Sequence, residues 1–157
     1  MVKPNLVIGL GNPLLGDDAI GLAIAQALAR DPRLSDEYDV VVGGSDLSRY
    51  ADHLAGRQSI TVVDAVLNDD EPGTVTVHGS PMQRLEHPQV RTQHLSGPEL
   101  AAMVAALSPE LRNVRWEFIT VSVPSVEPGL PLSPSMEQRL PRITEQTLRM
   151  LEEDVTA

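Results

Sequence analysis

The apolar positions of the chain fall into short blocks of two different periods. Leu6-Val7-Ile8-Gly9-Leu10 is a continuous apolar run, followed by Gly11-Asn12-Pro13 and Gly16. That pattern predicts a buried strand running into a loop. From Ala19 to Arg30 the period changes: Ile20, Ala23, Ile24, Ala27 and Leu28 recur at helical spacing, with Asp17 or Asp18 placed to cap the start. Val40-Val41-Val42 ahead of Gly43-Gly44 reads as a second buried strand, and Leu47 to Leu54 as a short helix or turn. Ser59 to Val66 is rich in β-branched residues and predicts a third strand.

Beyond a turn at Asn68 to Gly73, Thr74-Val75-Thr76-Val77 alternates like a less buried strand. The polar stretch from Gly79 to Thr92 shows no period and reads as loop. A helix is predicted from Pro98 to Leu107, and a fifth strand from Trp116 to Val123, leading into a proline-rich loop from Pro124 to Pro131. The last helix is predicted from Pro134 to Glu153, with Met136, Leu140, Ile143, Leu148 and Leu151 on one face and a kink at Pro141. Strands interleaved with helices imply a three-layer α/β fold with a mostly parallel sheet. The short connection between the third and fourth strands predicts a hairpin, which would make that sheet mixed. With no repeat, linker or low-complexity segment, one domain is expected over residues 1–157.

Composition narrows the chemistry. The chain has no cysteine, which excludes disulfides, thiolate nucleophiles and Cys-based zinc or iron–sulfur sites. A bound metal must then be held by carboxylates, histidine, backbone carbonyls or water. There is no run of about 18 apolar residues, and the first strand begins too early for a secretion signal, so the cytoplasm is the expected compartment and no membrane partner is expected. With 12 Lys+Arg against 22 Asp+Glu, the formal charge is −10. The arginines are scattered from Arg30 to Arg149, so nucleic acid is not an expected partner. Basic protein surfaces or cations match better, although excess acid also simply keeps a protein in solution.

In a sheet of this kind ligands bind beyond the carboxyl ends of the strands. Asp17-Asp18, Asp64 and His94 are predicted to collect there. Asp64 is the most informative, because a carboxylate inside the apolar run Val62-Val63-Asp64-Ala65-Val66 costs several kcal/mol unless it is paired, hydrogen-bonded or coordinated. It reads equally as a ligand and as an acceptor of local amides. Asp17 and Asp18 also suit a helix N-terminus, which needs no further role. His94 alone also suits a surface or capping position, and His53, His78 and His87 read as surface residues. A dinucleotide site is set aside: the fingerprint needs a glycine where Leu14 stands, and Val42-Gly43-Gly44 supplies no acid after the second strand. No G-x-S-x-G elbow is present.

The stretch Leu6-Val7-Ile8-Gly9-Leu10-Gly11-Asn12-Pro13-Leu14-Leu15-Gly16-Asp17-Asp18-Ala19-Ile20-Gly21 resembles the N-terminal motif of the hydrogenase maturation proteases. Three further blocks match that family in order: Thr61 to Val66, Gln93-His94-Leu95-Ser96-Gly97-Pro98-Glu99-Leu100, and Ser125 to Pro134. The resemblance thus extends over nearly the whole chain. It implies a five-stranded twisted sheet between helices. It also implies an endopeptidase that removes the C-terminal extension from the precursor of a nickel–iron hydrogenase large subunit once nickel has been inserted. By the same resemblance Asp18, Asp64 and His94 bind the metal and are the residues on which catalysis depends, with Asp17 in a capping or supporting role. Nickel would arrive on the precursor, and zinc or cadmium could occupy the same ligands in vitro. One departure stands out: the family often carries Asp-Gly-Gly-Thr where this chain has Val42-Gly43-Gly44-Ser45. The missing acid keeps open a second reading, a non-catalytic nickel-checking or chaperone module. Gly9-Leu10-Gly11-Asn12-Pro13 also resembles the start of bacterial peptidyl-tRNA hydrolase. The histidine-bearing segment that follows there is replaced here by Leu14-Leu15-Gly16-Asp17-Asp18, and the charge disfavours tRNA.

Overall fold

The computed structural model describes residues 2–78 and 109–156. The predicted loop from Gly79 to Thr92, the predicted helix from Pro98 to Leu107 and His94 lie outside them. Five strands form one open sheet: β1 (Asn5–Gly9), β2 (Tyr38–Val42), β3 (Ser59–Leu67), β4 (Val75–His78) and β5 (Arg115–Val123), in the order β2-β1-β3-β5-β4. The pairs β1–β2, β1–β3 and β3–β5 are parallel, and β4 runs antiparallel on β5. Helix α1 (Ile20–Arg30) follows a short 3-10 turn at Gly16–Ala19. A second 3-10 turn at Leu47–Tyr50 runs into α2 (Ala51–Leu54), and α3 (Pro134–Thr156) closes the chain. It is an open, mostly parallel mixed α/β sheet with helices, as the sequence predicts.

Alternation along the strands sorts the core into two layers. Val7, Val63, Ala65, Ile119, Val121 and Val123 pack with Ile20, Ile24 and Leu28 of α1 and Met136, Ile143, Leu148 and Leu151 of α3. The residues between them, Leu6, Ile8, Ile60, Val62, Trp116 and Phe118, pack on the other side with Leu47, Leu54 and Leu111. Helix α3 runs unbroken through Pro141. Its start combines an N-cap serine with a proline at the first helical position: the Ser133 hydroxyl accepts the Met136 amide at 3.3 Å, and the Ser133 carbonyl accepts the Glu137 amide at 2.9 Å.

The predicted β3–β4 hairpin does not form. β3 is flanked by β1 along Ser59–Val63 on one side and by β5 along its full length, Ser59–Leu67, on the other. The chain after β3 therefore returns on the outer edge of β5, where Gly73 and Thr74 begin the pairing through backbone bonds to Ser122. The sheet is mixed, but the antiparallel member is an edge strand paired with β5.

Candidate active site

The chain leaves β1 for β2 on one side and has β3 on the other, so the carboxyl ends of β1 and β3 flank the point where strand order reverses. The start of α1 sits directly on this point. A side chain on Gly21 would collide with the Leu10 carbonyl and lie 2.6 Å from that of Val63, and one on Gly9 would collide with the Gly21 carbonyl. Two glycines thus let a helix and two strand ends meet backbone to backbone, which brings the Gly16–Ala19 turn to the end of β3.

Asp18 and Asp64 come together there. Both are buried, and the charge of Asp18 acts on Asp64. The Asp64 carboxyl is held well above the ordinary carboxylate range, first by burial and then by Asp18, against the opposing hydrogen bond that Oδ1 accepts from the Ala65 amide at 2.8 Å. Asp18 Oδ2 accepts the Asn12 amide at 2.9 Å. Thr120 of β5 and Thr76 of β4 stand in register with Asp64, so a polar row crosses the sheet at its level. Two buried like charges are an arrangement that a bound cation relieves, and carboxylate oxygens suit a divalent ion. Among the described residues no group of three or more His, Asp or Glu converges. The third expected ligand, His94, lies outside them.

The expectation that Asp17 or Asp18 caps α1 is corrected. The N-cap position is Ala19, which makes no side-chain bond. The 3-10 turn ahead of the helix sends the two carboxylates in different directions, Asp18 to the Asn12 amide and Asp17 to Ser133. Asp17 Oδ1 accepts the Ser133 amide at 2.8 Å, and its Oδ2 accepts the Ser133 hydroxyl at 3.0 Å. Ser133 escaped the reading of the sequence. The Ser133-Pro134 pair is a helix-start signal, but nothing local marks its partner 116 residues away. His53 is exposed and stacks obliquely near Tyr50, well apart from the acids in sequence and element. Val42, where the family often has an acid, is 40% exposed at the end of β2. The Gly43 and Gly44 that follow bond to Gly9 and Gly11.

Known proteins share this framework. The family model described as hydrogenase maturation protease matches residues 22–150, a stretch that includes Asp64 and His94 and starts just past Asp18. The chain belongs to the hydrogenase maturation protease family. It is 30% identical over 153 residues to the hydrogenase 2 maturation protease of Escherichia coli, covering 94% of this chain and 90% of that protein. Among solved structures, the NiFe hydrogenase maturation protease HybD from Thermococcus kodakarensis superposes with a TM-score of 0.75 at 26% identity, covering 94% of this chain and 98% of that one. The E. coli maturating endopeptidase HybD gives a TM-score of 0.75 at 28% identity, covering 96% and 93%. The family and its fold are those the sequence motifs imply. Membership makes this chain one of a family of proteases. Among the described residues no helix is long and apolar enough to cross a membrane.

Proposed function

We propose that this protein is an endopeptidase that removes the C-terminal extension of a nickel-loaded hydrogenase large-subunit precursor in the cytoplasm. It recognises the nickel through Asp18, Asp64 and His94. The observation that carries the reading is the buried Asp18–Asp64 pair at the switch point between β1 and β3. Two buried acids side by side are costly to keep without a cation, and the family supplies a substrate that brings a divalent ion.

The chemistry follows from the donors. Two carboxylates and an imidazole, without thiolates, form an open site that receives an ion already bound elsewhere. Before the precursor arrives, the raised pKa of Asp64 favours its protonated form, which reduces the repulsion from Asp18. An ion held by these side chains would bring the scissile peptide beside them. With no cysteine and no G-x-S-x-G elbow in the chain, attack by water is the simplest route, and a bound ion would also polarise the peptide or the water.

Asp64→Asn is nearly isosteric and removes the charge, so it should fold and lose processing steeply, as should Asp18→Asn and His94→Ala. Processing of the precursor by Asp64→Asn at the parental rate, read by mass, would overturn the site assignment.

A further inference from the structure

We propose that Asp17 is a positioning residue for nickel recognition, acting through Ser133. The clasp between them fixes the Gly16–Ala19 turn, and with it Asp18, against the N-terminus of α3. This inference rests on the reading of Asp18 as a nickel ligand.

The clasp is complete on both partners. The Asp17 carboxylate is buried and uses each of its oxygens on Ser133, one for the amide at 2.8 Å and one for the hydroxyl at 3.0 Å. The hydroxyl is spent twice: it donates to Asp17 and accepts the Met136 amide of α3. Two backbone bonds flank the clasp and join the same segments, Gly16 amide to Leu130 carbonyl at 2.9 Å and Gly129 amide to Leu14 carbonyl at 2.7 Å. The turn that carries Asp18, with Leu14 just ahead of it, is therefore tied to the loop before α3 at Leu14, Gly16 and Asp17.

A tie of this kind has a task beyond joining two segments. Asp18 is buried beside the Asp64 carboxyl, and an acid on an unanchored turn would be free to move out to solvent. In a turn only four residues long, Asp17 cannot be held without holding its neighbour. With Asp17 anchored to α3 and Asp18 Oδ2 on the Asn12 amide, the ligand is placed before the ion arrives. Partners that orient a ligand in this way typically contribute about 10–100-fold to metal affinity.

The test is calorimetric titration of Ni²⁺ alone into the full-length protein, with kcat and KM for the nickel-loaded precursor measured alongside. Ser133→Ala should weaken Ni²⁺ binding by about tenfold or more and raise KM more than it lowers kcat. Asp17→Asn keeps one acceptor oxygen and should show a smaller loss. Ser133→Thr restores the hydroxyl and should restore affinity. Thr147→Ala removes a buried hydroxyl bond to the Ile143 carbonyl at 2.9 Å, well along α3 from its start. It should lower the melting temperature while leaving Ni²⁺ affinity unchanged. If Ser133→Ala and Asp17→Asn lose only melting temperature and bind Ni²⁺ like the parent, the clasp is structural and the proposal is wrong. If Asp64→Asn also binds Ni²⁺ like the parent, the fault lies in the nickel-site reading beneath it.

Discussion

Asp64 carries a cost that shows in stability as well as in chemistry. Its carboxyl keeps a proton in the folded protein at pH values where the unfolded chain has already released it. Between the two pKa values the folded state binds more protons than the unfolded state, so stability falls as pH rises through that window. Above the folded pKa the whole penalty is present. Below the ordinary carboxylate value of about 3.9 it is absent. Asp64→Asn should therefore melt higher than the parent at neutral and alkaline pH, at about 2–4 °C for each kcal/mol in a chain of this size. The gain should vanish in acid. Thermal melts across pH check this, and a lower melting temperature at neutral pH would mean that Asp64 is stabilised by a partner. The same substitution should abolish processing, so stability and function move in opposite directions at one residue.

At the scale of elements, the site depends on how closely α1 approaches β1 and β3. Gly21→Ala puts a methyl against the Leu10 and Val63 carbonyls. It should cost at least the 1–3 kcal/mol typical of overpacking and lower processing by moving the Gly16–Ala19 turn, both measurable by denaturant unfolding and precursor assay. Leu14, just ahead of that turn, and Leu130, on the loop bonded to it, are 70% and 50% exposed. Alanine at Leu130 and at Glu127 should change stability by no more than about 0.5 kcal/mol while raising KM for the precursor. An unchanged KM would reduce the loop to a connector. The apolar periods were enough to read β1, β3, β5, α1 and α3 from the sequence, because each buries a face whose spacing is local. The partner of β4 was not legible, since it depends on which edges are free after β1 and β5 have flanked β3. Asp64 was legible as an acid inside an apolar strand. The Asp17–Ser133 clasp was not, because each half has an ordinary local explanation as a cap and only folding brings the two together.

At the scale of the whole molecule, an apolar layer lies on each face of the sheet among the described residues. A core of this kind does not need an ion to fold, unlike a zinc finger. The purified protein should hold well under one equivalent of metal, and chelator should leave its melting temperature nearly unchanged. Added zinc, nickel or cadmium should bind weakly. The formal charge of −10 should make association with a basic precursor surface slower as salt rises, which stopped-flow binding would show. The most direct measurement is the mass of the cognate large-subunit precursor after incubation with this protein, with and without prior nickel loading. The account predicts loss of the C-terminal extension from the nickel-loaded precursor alone. Equal cleavage of the nickel-free precursor, or no cleavage of the loaded one, would contradict it.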